Sequence, residues 1–130
     1  MATIKSFTDL PQSKKLAEIL PLESADMWYQ HIAYSVKDGS LKPTYFPMVI
    51  RDDESDKDIP CWSLAALLDV IPKHIKDYNV LRIDIGDNDT SIWYDEIGCG
   101  VNNDLPDITM ESAVDACVAM IEKLYELKML

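Results

Sequence analysis

A chain of 130 residues, 48% hydrophobic and 27% charged, has the size and composition of one folded domain with its own core, which argues against disorder. No apolar run approaches the roughly 18 residues that a bilayer-crossing helix needs, and MATIKSFTDLPQ lacks the basic-then-apolar layout of a secretion signal, so no membrane partner and a cytoplasmic location are expected. The net charge of −11 is concentrated: Ile83 to Glu122 holds ten acids and no Lys or Arg, against thirteen acids and twelve bases elsewhere, and such a surface disfavours nucleic acid by repelling phosphates.

Residues 7–21, FTDLPQSKKLAEILP, read as a first helix: Asp9 with Gln12 three positions on makes a capping box, Pro11 is tolerated in the first turn, and Pro21 closes the segment. Leu16, Ile19 and Leu20 supply its buried side. Asp26 to Val36, DMWYQHIAYSV, is rich in aromatic and branched residues and reads as a strand. Asp38-Gly39 then offers a tight hairpin, and TYFPMVI returns to Ile50 as a second strand. Pro43 and Pro47 cannot donate to a ladder, so that strand should lie at an edge or be irregular. Residues 51–59, RDDESDKDI, have no apolar period and read as a solvated loop. Asp52, Glu54 and Asp56 alternate like the start of a calcium loop, but Lys57 stands in place of its glycine and Ser63 in place of its bidentate glutamate, so no metal site is expected.

In CWSLAALLDVIP, Ser63 caps a helix that is apolar nearly all round and therefore covered on most sides, and Pro72 ends it. Lys73 to Tyr78 follows as a turn or single helical coil carrying His74. Leu81, Ile83 and Ile85 then alternate with Arg82 and Asp84, and after the turn residues GDND the chain returns as a strand from Ser91 to Ile97. GCGVNNDLPD is a loop whose GxG lacks the setting of a dinucleotide site. From Thr109 onward, Met110, Ala113, Val114, Cys117, Val118, Ile121, Leu124 and Tyr125 recur at helical spacing, with Thr109 as the expected N-cap. The resulting expectation is a single α+β domain over residues 1–130, about three helices covering one face of a mainly antiparallel sheet of about four strands.

Cys61, Cys99 and Cys117 are too widely spaced for a CxxC pair and read as free thiols, with Cys99 in a glycine-flanked loop. The segments QSKKLAEILPLESADM (Gln12 to Met27) and IPCWSLAALLDVIP (Ile59 to Pro72) resemble a group of short uncharacterised proteins of gut anaerobic bacteria and their phages or mobile elements. The resemblance implies a small α+β domain in a prokaryotic cytoplasm and supplies no activity.

No catalytic, cofactor-binding or metal-ligating residue is assigned by these patterns, and no cofactor is expected. The leading expectation is a protein-interaction or modulator module whose acidic surface, with Asp84, Asp87, Asp89, Asp95 and Glu96 foremost, meets a basic protein partner. Two alternatives stand beside it. One is a small-ligand site lined by Trp28, Trp62, Trp93 or Tyr94. The other is a hydrolase-like enzyme using Asp95 with Glu96, which adjacent strand positions point to opposite faces, or Cys99 with His31 or His74.

Overall fold

The computed structural model describes residues 5–35, 37–50 and 54–130. Its first helix, α1, spans Leu10–Ala17 and starts where the capping box sets it. The Gln12 N–H donates to Asp9 Oδ1 at 2.9 Å, and the Asp9 N–H donates to Gln12 Oε1 at 3.1 Å. The helix is shorter than the segment 7–21: Phe7 forms an isolated bridge with Ser63, and after Pro21 the chain coils once as a 3-10 turn at Leu22–Ser24.

Strands β1 (Met27–Ser35) and β2 (Leu41–Met48) form the expected hairpin, with Trp28 opposite Met48. β2, with its two prolines, is an edge strand. A short strand, β3 (Ile59–Cys61), pairs with the other side of β1. It is led in by Asp58, a buried carboxylate that accepts from the His31 N–H at 2.9 Å and the Ser55 N–H at 3.1 Å. The segment read as a solvated loop therefore ends in an internal anchor. Asp52, part of the calcium-loop comparison, lies outside the described residues.

Helix α2 (Leu64–Val70) is capped by Ser63, whose Oγ accepts from the Ala66 N–H at 3.2 Å while the Asp26 carboxylate holds Ser63 in turn. Lys73–Tyr78 is not a helical coil. It holds β4 (His74–Ile75), which turns through Lys76 and Asp77, both at positive φ, into β5 (Asn79–Ile85). β5 pairs with β6 (Thr90–Glu96) over its whole length. The far edge of β6 is shared by two short strands: β7 (Gly100–Val101) opposite Asp95 and Glu96, and β8 (Ile108–Met110) opposite Thr90 to Ile92.

The last helix, α3 (Ala113–Glu126), begins later than Thr109. Its cap is Ser112, whose Oγ accepts from the Asp115 N–H at 3.0 Å. Thr109 and Met110 belong to β8, where pairing with the otherwise bare edge of β6 satisfies backbone groups that a frayed first turn would leave open. The buried stripe shifts accordingly. Met110 and Tyr125 are exposed, whereas Ala116 and Met120 are buried.

The strands form two antiparallel sheets, of three and five strands, where one sheet of about four was expected. Each hairpin recruits short neighbours and neither pairs with the other. The helices divide between them: α1 packs on β3, α3 lies over β6 and β8, and α2 packs on α3. One core cluster joins α1, α2, α3 and the five-stranded sheet through Leu16, Trp62, Leu67, Ile92, Tyr94 and Leu124. At roughly 1.5–3 kcal/mol per large buried side chain, this cluster is the main support of the fold.

Candidate interaction surface

The five candidate acids occupy two places. Asp84, Asp87 and Asp89 are exposed around the β5–β6 turn, at the end of the sheet where Thr90 pairs with Met110. Glu111 follows Met110 and adds a fourth exposed carboxylate at that end. Asp95 and Glu96 lie at the other end of β6, about 17 Å along the strand from Thr90 at ~3.3 Å per residue. They alternate in direction, so they do not form a pair about one bond. Asp95 is also occupied: Arg82 Nε donates to one of its oxygens at 3.3 Å and Trp93 Nε1 to the other at 2.9 Å.

The cations beside the acidic third are spent on particular partners. Lys5 reaches Asp115 at 2.7 Å, Lys15 reaches Glu122 at 3.0 Å, and Arg82 takes Asp95. Burial alone would raise the Asp115 carboxyl, but bonds from Lys5, Gln12 and Ser112 outweigh it and hold the group below its ordinary value. Asp84, Asp87, Asp89 and Glu111 form no ion pair among the described residues. Glu96, Asp104 and Asp107 form none either, so what sets the turn group apart is that its four carboxylates gather at one end of the sheet.

Apolar surface accompanies the first of these groups. Side chains of Ile83, Ile85 and Met110 share the parity of buried Ile92 and Thr90, the face that α3 covers farther along. Yet Ile83 is 37% exposed, Ile85 64% and Met110 41%. α3 packs on β6 and β8, and these exposures show that this end of β5 is left uncovered. The turn itself is closed by the Gly86 N–H donating to the Asp89 carbonyl at 2.8 Å.

The other candidate residues lie apart from this surface. Trp62 and Tyr94 are filled into the core, and the Tyr94 hydroxyl donates to the Pro72 carbonyl at 2.7 Å. A surface groove of about 410 Å³ lies elsewhere, between the ends of α1, α2 and α3, with Leu20, Val70, Pro72 and Tyr125 in its wall. Cys99 is exposed in the turn after β6, His31 stands edge-on to Tyr45 in the other sheet, and His74 is exposed in β4; no hydrogen bond joins the thiol to either imidazole. Among the described residues no three His, Cys, Asp or Glu side chains gather to hold a metal, and no helix is long and apolar enough to cross a membrane.

The β1–β2 hairpin also stands apart. Among its described residues none belongs to the core cluster, and it is tied to the rest through β3 and through Tyr29, whose hydroxyl donates to the Thr8 carbonyl at 2.8 Å. Ile32 and Phe46 are exposed on it, as are Val49 and Ile50 beyond its end. No family model, curated protein or solved structure matches this chain.

Proposed function

We propose that this chain is a protein-interaction module that receives a basic partner at the β5–β6 turn. The observation that carries the reading is the gathering of Asp84, Asp87, Asp89 and Glu111 at one end of the sheet, without an ion pair among the described residues while nearby cations go to Asp95, Asp115 and Glu122. Exposed like charges at one end of a sheet repel one another, and a cationic surface relieves that repulsion on docking. Asp95 and Glu96, named with them on charge alone, belong to the far end of β6 and are not part of this surface. The resemblance to proteins of gut anaerobes and their phages suits a small modulator of a host factor.

The test is a binding titration with a lysine-bearing peptide at low and at physiological salt, on the parent chain and on the variant Asp84→Asn, Asp87→Asn, Asp89→Asn. Affinity should fall with salt in the parent and fall further in the variant. Equal binding by parent and variant would remove the proposal's basis.

A further inference from the structure

The same end of the sheet carries an open backbone edge. The Leu81 N–H donates outward to the Lys73 carbonyl at 2.9 Å, on the β4 side, whereas the Tyr78 carbonyl and Gly86 N–H bond inward across the β5–β6 hairpin. Backbone direction alternates along a strand, so the N–H and C=O of Ile83 and Ile85 point outward with those of Leu81. β4 ends before reaching them: it pairs only with Asn79 and Val80, and no described strand continues on that side. An open edge of this kind is a template for another strand unless it is blunted. β5 has no proline and no bulge to close it off, and of the side chains along this edge Ile83 and Ile85 are exposed, Asp84 forms no ion pair among the described residues, and the Arg82 charge is taken up by Asp95.

We infer that β5 accepts an extended peptide segment, alternating apolar and basic residues, as an added antiparallel or parallel strand along Arg82–Ile85. The edge supplies main-chain hydrogen bonds. Ile83 and Ile85 supply an apolar ledge on the α3 side, where alternate side chains of the segment would cover them. Asp84 on the opposite face, with Asp87 and Asp89 at the turn, selects Lys or Arg at the remaining positions. Charge complementarity therefore picks this occupant over an acidic or neutral strand. The inference rests on the acidic-surface reading and adds the mode of contact.

A synthetic peptide alternating valine and lysine, titrated into the isotope-labelled chain at low salt, tests it. The amide signals of Ile83 and Ile85 should move most, and their hydrogen exchange should slow on binding. Ile85→Pro removes one outward donor without touching the β6 ladder and should weaken binding about fivefold to tenfold, the loss expected for one main-chain bond. A valine–glutamate peptide should not bind. If Ile85→Pro binds as well as the parent, strand addition is overturned while the charge reading survives; if the parent does not bind, both fail. Should the proline variant not fold, unchanged exchange at Ile83 and Ile85 in the peptide-bound parent overturns strand addition instead. Sedimentation of the free chain should show a monomer; a dimer lost in Ile85→Pro would assign the edge to a second copy and overturn the peptide assignment.

Discussion

Replacing Thr8 by valine keeps the shape of the side chain and deletes one oxygen from a fully buried node. Thr8 Oγ1 accepts from the Trp62 N–H at 3.1 Å and shares a 2.7 Å hydrogen bond with Ser13 Oγ, and the backbones of Thr8 and Trp62 are tied by a second bond of 2.9 Å. Both Thr8 and Ser13 are inaccessible to solvent. Thr8→Val takes the Thr8 partner from the Trp62 N–H and from the Ser13 hydroxyl and leaves both only the weaker Cys61 sulfur, and each such lost hydrogen bond costs ~0.5–1.5 kcal/mol. A loss of about 1–3 kcal/mol is expected, a sizeable part of the ~5–15 kcal/mol available to a domain of this kind. Ser13→Ala should cost only about 1 kcal/mol, because Thr8 Oγ1 keeps the Trp62 N–H as its donor. The double variant should lose less than the sum of the two single losses, since the Thr8–Ser13 bond that both remove is counted once. Urea unfolding followed by tryptophan fluorescence reads all three. A Thr8→Val loss within about 0.5 kcal/mol of zero, the range of ordinary surface changes, or strict additivity in the double variant, refutes the account of the node.

The cap of α3 gives a sharper comparison: Ser112→Ala should destabilise by about 1 kcal/mol, and Thr109→Ala, which loses only an exposed bond to Ser91, by about 0.5 kcal/mol or less. The reverse order would return the helix start to Thr109. Thiol labelling of the native chain should modify Cys99 and spare the other two until unfolding, because burial pushes the Cys61 thiol up and the Cys117 thiol up to about 12; simultaneous labelling of all three would contradict the packing. The Lys5–Asp115 pair makes stability depend on pH at both extremes. Asp115 titrates below the ordinary 3.8 in the folded chain, so its contribution is complete above that value and is lost as pH falls through the lowered one. For Lys5, burial lowers the value but bonds to Asp115 and Asp9 outweigh it, so its contribution is complete below 10.5 and lost as pH rises through the raised one. Asp115→Asn should flatten the acid limb of denaturation midpoints against pH, by about 1 kcal/mol or less for a pair this open to solvent, and an unchanged limb would place the dependence elsewhere.

What could be read from the sequence was local. Asp9 with Gln12 and Ser63 ahead of LAALL announce their helices because capping is decided within one turn, and both hairpins show because strand alternation needs no knowledge of the rest of the chain. β3, β4, β7 and β8, of two or three residues each, carry no period, and a longer strand with a bare side decides that they pair. The candidate acids were visible as charges, but their grouping required the register: Thr90 opposite Ile85 and Met110 brings Glu111 to the turn, while the length of β6 carries Asp95 and Glu96 away.

The misplaced helix start bears directly on the proposed site. Thr109 and Met110 bond to β6 in the sheet, so α3 begins at Ala113 and packs on β6 and β8, and the end of β5 is left uncovered. Leu81, Ile83 and Ile85 have one alternating pattern, which by itself predicts one buried face. Only Leu81 is packed against the core, and exposure rises along the strand to 64% at Ile85. Alternation reports which side a residue faces; whether anything stands on that side depends on where the next helix lies. The isoleucines lose their cover on the same stretch where β4 has already ended, so apolar side chains, open backbone groups and unpaired carboxylates coincide. That coincidence, more than the total charge, is the physical reason to look for a partner at β5.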